Sequence, residues 1–247
     1  MSKADLHLHT RVSDGFATVE ELVRFVEEKT DLDVIAVTDH EDATGGLRAR
    51  EVAAKRGCRF EVVPGAEVTT RHGHLLALFV EDSPKSFRSI EATLESVHER
   101  GGLAVVPHPL SFLTRSLSRR TIDRVCERAE EGITFDAIEL CNPSPAGRHR
   151  AELATRLNHE AWGLPVTGGS DAHHLLQTGT AWTEFEGTGA EALRRAIVEG
   201  TTGAGLSRYP SLREIGLGRT ALGLAWGYAA TPRKMFRIAS RPPGSRR

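Results

Sequence analysis

The segment Asp5-Leu-His-Leu-His-Thr10 sets two imidazoles two positions apart in an otherwise apolar stretch. Alternate side chains of a β-strand leave opposite faces, so His7 and His9 project together while Leu6 and Leu8 pack on the other side. An isolated His-x-His pair is compatible with an amphipathic strand whose histidines face solvent. The pair could also supply two ligands of a metal site. Which interpretation applies depends on whether further ligand-type residues recur along the chain.

Apolar runs alternate with amphipathic segments downstream of this strand. Thr18-Val-Glu-Glu21 matches a capping box that opens a helix, and the unbroken apolar run 33–38 is typical of a strand buried on both faces. Further helices are predicted over 44–56, 87–101, 121–131, 147–161 and 191–199, and further strands over 60–63, 75–80, 103–106, 137–141, 164–167 and 181–185. Strands that alternate with helices predict right-handed crossovers and a parallel sheet or barrel.

Side chains able to bind metal lie at or just beyond the ends of these strands. In parallel α/β folds the reactive groups gather at the carboxyl ends of strands, because that face carries the strand-to-helix loops. The set comprises His7, His9, His40, Glu67, His108, Asp171 and His173, with His74 opening a strand. Each of them alone could be an ordinary core or surface residue, but their joint placement favours a multinuclear metal centre.

Five short motifs, in this order, resemble those of the PHP (polymerase and histidinol phosphatase) family of metal-dependent phosphoesterases. They are Asp5-x-His-x-His9, Thr38-Asp-His40, Pro64-Gly-x-Glu67, Pro107-His-Pro109 and Gly168-Gly-Ser-Asp-x-His173, and the resemblance covers about residues 4–200. It implies an α/β fold, a distorted (β/α)7 TIM-like barrel. It also implies two or three divalent metal ions at the C-terminal ends of the strands.

Carried over position by position, the resemblance assigns nine ligands to three metal sites. The first takes His7, His9, Glu67 and Asp171, the second Glu67 as a bridge with His74 and His108, and the third Asp14, His40 and His173. Asp14 stands where some relatives place a histidine. His74 follows Glu67 at a distance that varies among relatives, and it also reads as the first residue of a buried strand.

The ligand types indicate the chemistry. Nitrogen and carboxylate ligands without thiolates suit manganese, iron or zinc as divalent ions. Two such ions bridged by Glu67 would lower the pKa of a shared water, supply hydroxide at neutral pH and clamp the phosphoryl oxygens for in-line attack. The candidate catalytic residues are His40, His173 and Asp171, and either histidine could protonate the leaving oxygen if the third site is empty.

Five further polar residues have expected roles around this centre. Asp5 and Asp39 are expected to accept hydrogen bonds that fix imidazole tautomers, with a structural hydrogen-bonding role equally open for Asp39. Arg11 and Arg115 could each hold a second phosphate through a bidentate fork, or be solvated loop residues. Asn142 could line the pocket or form a turn, since Pro143 follows it.

We expect a phosphoesterase that acts on nucleotides or oligonucleotide ends. Only 34 positions separate His74 from His108, too few for the cap domain that some relatives carry, so we expect an open site. The alternatives are a small-metabolite phosphatase of the histidinol-phosphate type and a catalytically weak nucleic-acid-binding module. Many amidohydrolases bridge two metals with a carbamylated lysine, which no lysine here is placed to supply. Subtypes with a bridging glutamate leave amide or lactone hydrolysis open.

The composition is that of a soluble globular chain, with 39% hydrophobic and 26% charged residues. No run approaches the roughly 18 apolar residues of a membrane span. The N-terminus has no signal-peptide pattern, and we expect a cytoplasmic protein. Cys58, Cys126 and Cys141 include no C-x-x-C pair, which argues against a disulfide framework or a thiolate zinc site.

Charge is distributed unevenly along the chain. Residues 201–247 hold nine basic residues and one acid, whereas residues 1–200 hold 23 basic and 32 acidic residues. We therefore predict a PHP metallophosphoesterase domain over 1–203 and a basic C-terminal extension over 204–247, disordered over 241–247. The extension could bind nucleic acid or dock on the acidic body, and Trp226 and Tyr228 could pack on the body or on a second subunit.

Overall fold

The apolar runs form nine strands and the amphipathic segments eight α-helices within residues 1–216, the part of the chain that this computed structural model describes. The strands are β1 (Ser2–Leu8), β2 (Val34–Val37), β3 (Glu61–Thr69), β4 (His74–Leu78), β5 (Leu103–Val106), β6 (Ala137–Cys141), β7 (Val166–Gly168), β8 (Ala181–Phe185) and β9 (Gly203–Leu206). The helices are α1 (Val19–Lys29), α2 (Thr44–Arg56), α3 (Ile90–Glu99), α4 (Arg119–Cys126), α5 (Pro145–Arg148), α6 (Ala151–Leu157), α7 (Gly189–Glu199) and α8 (Leu212–Ile215).

The strands form one sheet that curls into a nearly closed barrel. Its order is β7-β6-β5-β4-β3-β2-β1-β8-β9. At the closure, the hydroxyl of Thr183 in β8 accepts a hydrogen bond from the amide of Gly168 in β7 at 2.9 Å and donates one to its carbonyl at 3.0 Å. Leu8 of β1 also forms a parallel bridge with Ala172, just beyond β7. The predicted α/β, TIM-like barrel is confirmed.

The sheet is mixed, so the prediction of a parallel sheet or barrel was correct for the barrel and wrong for the direction of some strands. β4 runs antiparallel to both β3 and β5, and β8 runs antiparallel to both β1 and β9. Only residues 70–73 join β3 to β4, and a parallel connection needs a crossover of roughly a dozen residues or more. The short connection therefore forces a hairpin, in which Thr69 pairs with His74.

The helices follow the predicted segments, with two interruptions. The helix predicted over 121–131 ends at Cys126, and a 3-10 turn follows at Ala129–Glu131. The capping box of α1 is present: the Thr18 hydroxyl accepts from the Glu21 amide at 3.2 Å, and the Glu21 carboxylate accepts from the Thr18 amide at 2.8 Å. The single helix predicted over 147–161 is instead α5, α6 and a π-helical turn. The Asn158 side chain bonds both the amide and the carbonyl of Leu164, which stabilises this wider turn.

The C-terminal part of the chain is described only in its first residues. β9 pairs with β8, and α8 follows, so the described part of the chain has regular structure as far as Ile215. Trp226, Tyr228 and the segment 241–247 lie outside the described residues, and the predicted domain division at residue 203 stays a prediction. Within residues 1–216, no helix combines the length and the apolarity needed to span a bilayer.

One ion pair of the scaffold predicts a pH dependence of stability. His98 Nε2 of α3 lies 2.8 Å from Asp136 Oδ2, an oxygen that also accepts from the Ala104 amide at 2.7 Å. The hydrogen bond to Asp136 raises the pKa of His98. A raised folded-state pKa stabilises the fold fully below the unfolded value of about 6.5, and this contribution is lost as pH rises through the raised value.

We expect the His98→Gln variant to unfold in urea with a free energy roughly 1 kcal/mol below that of the wild type at pH 6, and closer to it at pH 9. The matched control is His159→Gln, because His159 is exposed on the π-helical turn. A difference between His98→Gln and wild type that stays constant from pH 6 to pH 9 would contradict the prediction.

Candidate metal centre

The nine side chains predicted to bind metal come together at one end of the barrel. His7 projects from β1 and His9 directly follows that strand, while Glu67 lies in β3 and His74 at the first position of β4. The other five lie in loops that follow strands: Asp14, His40, His108, Asp171 and His173. Because the carboxyl ends of β1, β2, β5 and β7 share one rim, residues up to 166 positions apart in the chain meet there.

Glu67 lies at the middle of this cluster. Its side chain is 2% exposed, and each carboxylate oxygen faces imidazole nitrogens. Oε1 lies 2.7 Å from His74 Nδ1 and 3.1 Å from His108 Nε2, and Oε2 lies 3.4, 3.3 and 3.2 Å from His7 Nε2, His9 Nε2 and His40 Nδ1. Burial opposes ionisation, but the surrounding imidazoles, His74 first, hold the pKa of Glu67 well below its usual range. A single anion thus contacts five histidines.

Asp171 supplies a second anion to the same histidines. Its Oδ1 lies 3.5 Å from the Nε2 atoms of both His7 and His9, and 3.7 Å from His173 Nδ1. Burial would raise the pKa of Asp171, yet the surrounding histidines, His7 first, together outweigh burial and hold that pKa below its usual range. His7 and His9 are therefore shared between Glu67 and Asp171.

Asp14, His40 and His173 form the more open side of the cluster. Asp14 Oδ2 lies 3.3 Å from His173 Nε2 and 3.6 Å from His40 Nε2, and its Oδ1 lies 3.7 Å from His9 Nδ1. The side chains of His40 and His173 are 22% and 34% exposed, whereas that of His9 is fully buried. The rings of His9 and His173 stack at 4.3 Å. Solvent therefore reaches the cluster from this side.

The geometry groups the candidate ligands differently from the resemblance. Within the described residues, ligand atoms lying within 4.8 Å of one another form the sets His9–Asp14–His40–His173, His7–His108–Asp171, His7–His9–Glu67 and His40–Glu67–His74. His9 thus joins the set predicted to contain Asp14, His40 and His173. His108 falls with His7 and Asp171, although it also contacts Glu67. The ligand roles of the individual residues stay predictions.

Unpaired buried atoms show that this donor set fits metal ions. His7 Nε2, His9 Nε2, His74 Nδ1 and Asp14 Oδ1 are buried without a hydrogen-bond partner. Leaving a buried polar atom unpaired costs roughly 1–3 kcal/mol, and native proteins keep few of them. Four in one cluster of imidazoles and carboxylates are the donors that a nitrogen- and oxygen-liganded divalent cation requires.

Glu139 in β6 is a site residue that the sequence reasoning missed. It is 2% exposed, and its Oε2 lies 2.9 Å from His7 Nδ1. Its Oε1 accepts from the His108 amide at 3.0 Å and from the Asn142 side chain at 2.6 Å. Glu139 Oε2 is thus positioned to accept a hydrogen bond from His7 Nδ1–H, while Nε2 faces Glu67 and Asp171. The available signal was a lone acid at the centre of the apolar strand Ala137–Cys141.

We expect Glu139→Gln to lower metal affinity and kcat/KM about 10- to 100-fold, the usual cost of losing a carboxylate that orients a ligand histidine. The two donors on Oε1 fix the amide oxygen there, so the new NH2 group faces His7 Nδ1. His7 would then carry its proton on Nε2, the atom needed as a ligand. Glu28→Gln, at an exposed position of α1, is the control. Unchanged metal content and turnover in Glu139→Gln would contradict this prediction.

Asp5 and Asp39 order loops around the cluster. Asp5 accepts from the Ser170 amide and hydroxyl at 2.9 and 2.6 Å and from the Gly179 amide at 2.8 Å. These bonds replace the imidazole contact that we expected of Asp5, and burial raises its pKa to about 6. Asp39 accepts from the Thr10 amide at 2.8 Å and from Ser13, which fits the structural alternative.

The substrate-binding roles expected of Arg11, Arg115 and Asn142 stay predictions. The guanidinium of Arg11 donates to the carbonyl of Phe16 at 2.7 Å. Arg115 is an exposed loop residue whose carbonyl accepts from the amide of the candidate ligand His74 at 2.7 Å. Asn142 is 3% exposed. Its side-chain NH2 group donates to Glu139 Oε1, and its side-chain oxygen accepts from the Ser144 amide at 2.9 Å. Asn142 therefore has the turn role left open by the sequence and also positions Glu139.

Two of the candidate ligands have strained backbones. His108 and Asp171 adopt positive φ angles of 28° and 53°, a region that non-glycine residues rarely occupy. Such strain costs roughly 1–3 kcal/mol per residue and concentrates at functional sites. At both positions the backbone conformation places a polar side chain within the cluster.

Comparison with known families agrees with this geometry. Residues 5–143 match the family described as PHP domain, and residues 152–202 match the family described as PHP-associated. Among solved structures, a two-domain protein from Bacteroides vulgatus containing a predicted PHP-like metal-dependent phosphoesterase is similar, with a TM-score of 0.63 at 20% identity over 83% of this chain and 64% of that one. At this identity the likeness shows the fold.

Three curated relatives are similar in sequence, and two of them have a named activity. An uncharacterized protein of Methanocaldococcus jannaschii is 36% identical over 57% of this chain and 81% of its own length. The 5'-3' exoribonuclease Rnm of Escherichia coli is 27% identical over 81% of this chain and 55% of its own length. A 3',5'-nucleoside bisphosphate phosphatase of Chromobacterium violaceum is 35% identical over 40% of this chain and 34% of its own length.

Proposed function

Because this chain belongs to the PHP domain family and is a metal-dependent phosphoester hydrolase, we propose that its substrates are phosphate esters of nucleotides or of oligonucleotide ends. The two relatives with named activities are an exoribonuclease and a nucleoside bisphosphate phosphatase. The observation that carries the proposal is the open side of the cluster, where His173 and His40 reach solvent next to the buried Glu67.

The loops around the cluster support a substrate that extends beyond the phosphate. Between β4 and β5 the chain forms only α3, so no inserted domain covers this side. A terminal phosphate can then approach Asp14, His40 and His173 while the rest of a nucleotide stays outside the barrel. A closed pocket would instead favour a small metabolite that is enclosed entirely.

We propose that two or three divalent ions, of manganese, iron or zinc, are held by the nine clustered side chains. Glu67 is placed to bridge, since its two oxygens face different sets of imidazoles. Bound ions supply charge neutralisation of the phosphoryl oxygens and a lowered pKa for the attacking water. Glu139 keeps His7 in the tautomer that this binding requires.

If two ions bind and the site of Asp14, His40 and His173 holds none, His40 or His173 is proposed to protonate the leaving oxygen. They are the imidazoles nearest solvent in the cluster, and Asp14 orients both through its Oδ2. An imidazole beside a carboxylate can donate a proton to a leaving oxygen when it is not bound to metal. Asp171 is proposed to act through His7 and His9, whose Nε2 atoms it faces.

The test compares substrates of the competing classes on the metal-loaded enzyme. We expect release of phosphate from adenosine 3',5'-bisphosphate or from a 5'-phosphorylated oligoribonucleotide to exceed that from histidinol phosphate by at least about tenfold in kcat/KM. A chelator should abolish turnover and added Mn²⁺, Fe²⁺ or Zn²⁺ restore it. Preference for histidinol phosphate would establish the small-metabolite alternative, and oligonucleotide binding without hydrolysis the binding module.

We further propose that the basic C-terminal extension increases affinity for oligonucleotides. Residues 217–247, outside the described part of the chain, contain seven basic and no acidic residues. Truncation after Gly216 keeps β9 and α8, and should flatten the salt dependence of oligonucleotide binding while sparing turnover of a small ester. Equal salt dependence in both proteins would reject this role.

A further inference from the structure

An aromatic side chain stands in solvent beside the metal centre. Phe112 is 70% exposed, and its neighbour Leu113 is 56% exposed. Both lie in the loop between β5 and α4, on the rim that carries the cluster. The fold leaves these apolar groups uncovered although a phenyl ring gains stability when it is buried. Exposure of this kind on the rim of a site is typical of contact with a ligand.

The loop that carries Phe112 is anchored on the metal centre. Phe112 follows His108 by four residues, which places it within about 14 Å of that ligand candidate along even a fully extended chain. The loop then folds back, because His108 Nδ1 lies 2.9 Å from Ser116 Oγ and the Leu110 amide donates to the Leu117 carbonyl at 3.1 Å. The loop that carries Phe112 therefore starts at His108 and returns to it at Ser116.

A second anchored segment meets the same ring. His149 packs edge-on against Phe112 with ring centroids 3.8 Å apart, and the Arg150 guanidinium lies 5.6 Å from the Phe112 centroid. Both follow α5, whose capping residue Ser144 lies 3.3 Å from Asp171 Oδ2. In addition, His149 Nδ1 is buried without a hydrogen-bond partner. An aromatic face, a cation and an unpaired polar atom thus lie together.

We propose that Phe112, His149 and Arg150 form a stacking site for the nucleobase of the substrate, with the Phe112 ring as its platform. This inference rests on the proposed nucleotide function and deepens it. A base can stack on an exposed phenyl ring whatever its identity. The Arg150 guanidinium adds attraction for an anionic nucleotide, and it can also stack or bond a base edge. The chain limit of about 14 Å between Phe112 and His108 is compatible with a nucleotide whose phosphate lies at the metal centre.

The test compares a nucleotide with a substrate that lacks the base. We expect Phe112→Ala to lower the ratio of kcat/KM for adenosine 3',5'-bisphosphate to kcat/KM for ribose 5-phosphate by roughly tenfold or more, the effect of one lost base–aromatic stack. The lower ratio should result from a higher KM for adenosine 3',5'-bisphosphate. Phe112→Trp should keep the wild-type ratio. The matched control is Val198→Ala, since Val198 is 64% exposed on α7, and it should leave the ratio unchanged.

Binding of a non-hydrolysable phosphonate analogue of adenosine 5'-monophosphate to the metal-loaded protein, measured by calorimetry, separates this inference from the proposed function. If the protein hydrolyses no nucleotide but Phe112→Ala still weakens analogue binding tenfold, the proposed function fails and the stacking site stands. If nucleotides are hydrolysed and Phe112→Ala changes neither the ratio nor analogue binding, the stacking site is overturned. An equal loss on both substrates also overturns it.

Discussion

Glu67→Gln is expected to lose at least about 10³-fold in kcat/KM for a phosphate monoester, corresponding to several kcal/mol of lost metal-dependent stabilisation. Glutamine has nearly the same shape, so the change removes charge and one acceptor while it keeps the volume. Its NH2 group must replace either the oxygen that faces His74 and His108 or the oxygen that faces three other imidazoles. In either orientation a donor stands where a ligand oxygen is needed.

Two measurements check this expectation. Metal content per chain, determined by plasma mass spectrometry, should fall in Glu67→Gln together with steady-state turnover. Glu95→Gln makes the same chemical change at an exposed position of α3 and should match the wild type in both. Wild-type metal content and turnover in Glu67→Gln would contradict a bridging role for this carboxylate.

Local rules in the sequence were sufficient for the elements that position the cluster. The capping box at Thr18 starts α1 where predicted, and the alternation in β1 sends His7 and His9 to the side opposite Leu6 and Leu8. The carboxyl ends of parallel strands then bring distant loops to one rim. These features follow from residue spacing alone, because strand and helix periodicities fix which side chains share a face.

Features that depend on packing between distant segments were not predictable in this way. The direction of β4 depends on a connection of four residues whose bounds were unknown until the length of β3 was seen. Glu139 resembles any acid inside an apolar strand until His7 and the His108 amide are placed beside it. The grouping of ligands depends on differences of a few tenths of an ångström between interatomic distances, which the spacing of residues in the sequence does not give.

His9→Ala is the second variant for which we expect a large loss of activity and metal, because of the way the candidate ligands are grouped. His9 Nε2 faces both Glu67 and Asp171, while Nδ1 faces Asp14 on the open side. The residue therefore belongs to two of the candidate ligand sets, whereas His173 belongs to one. Removing the imidazole deletes a donor from both sets and also removes the ring on which His173 stacks at 4.3 Å.

We expect His9→Ala to lose on the order of 10³-fold in kcat/KM and more metal per chain than His173→Ala, as a donor to two sets should. His159→Ala, an exposed imidazole outside the cluster, is the control for the loss of a histidine. Added imidazole should restore part of the activity of His9→Ala, because the deleted ring leaves a cavity of its own shape, and rescue would show that the barrel still folds. If His173→Ala lost as much metal as His9→Ala, the two sets would not be joined through His9.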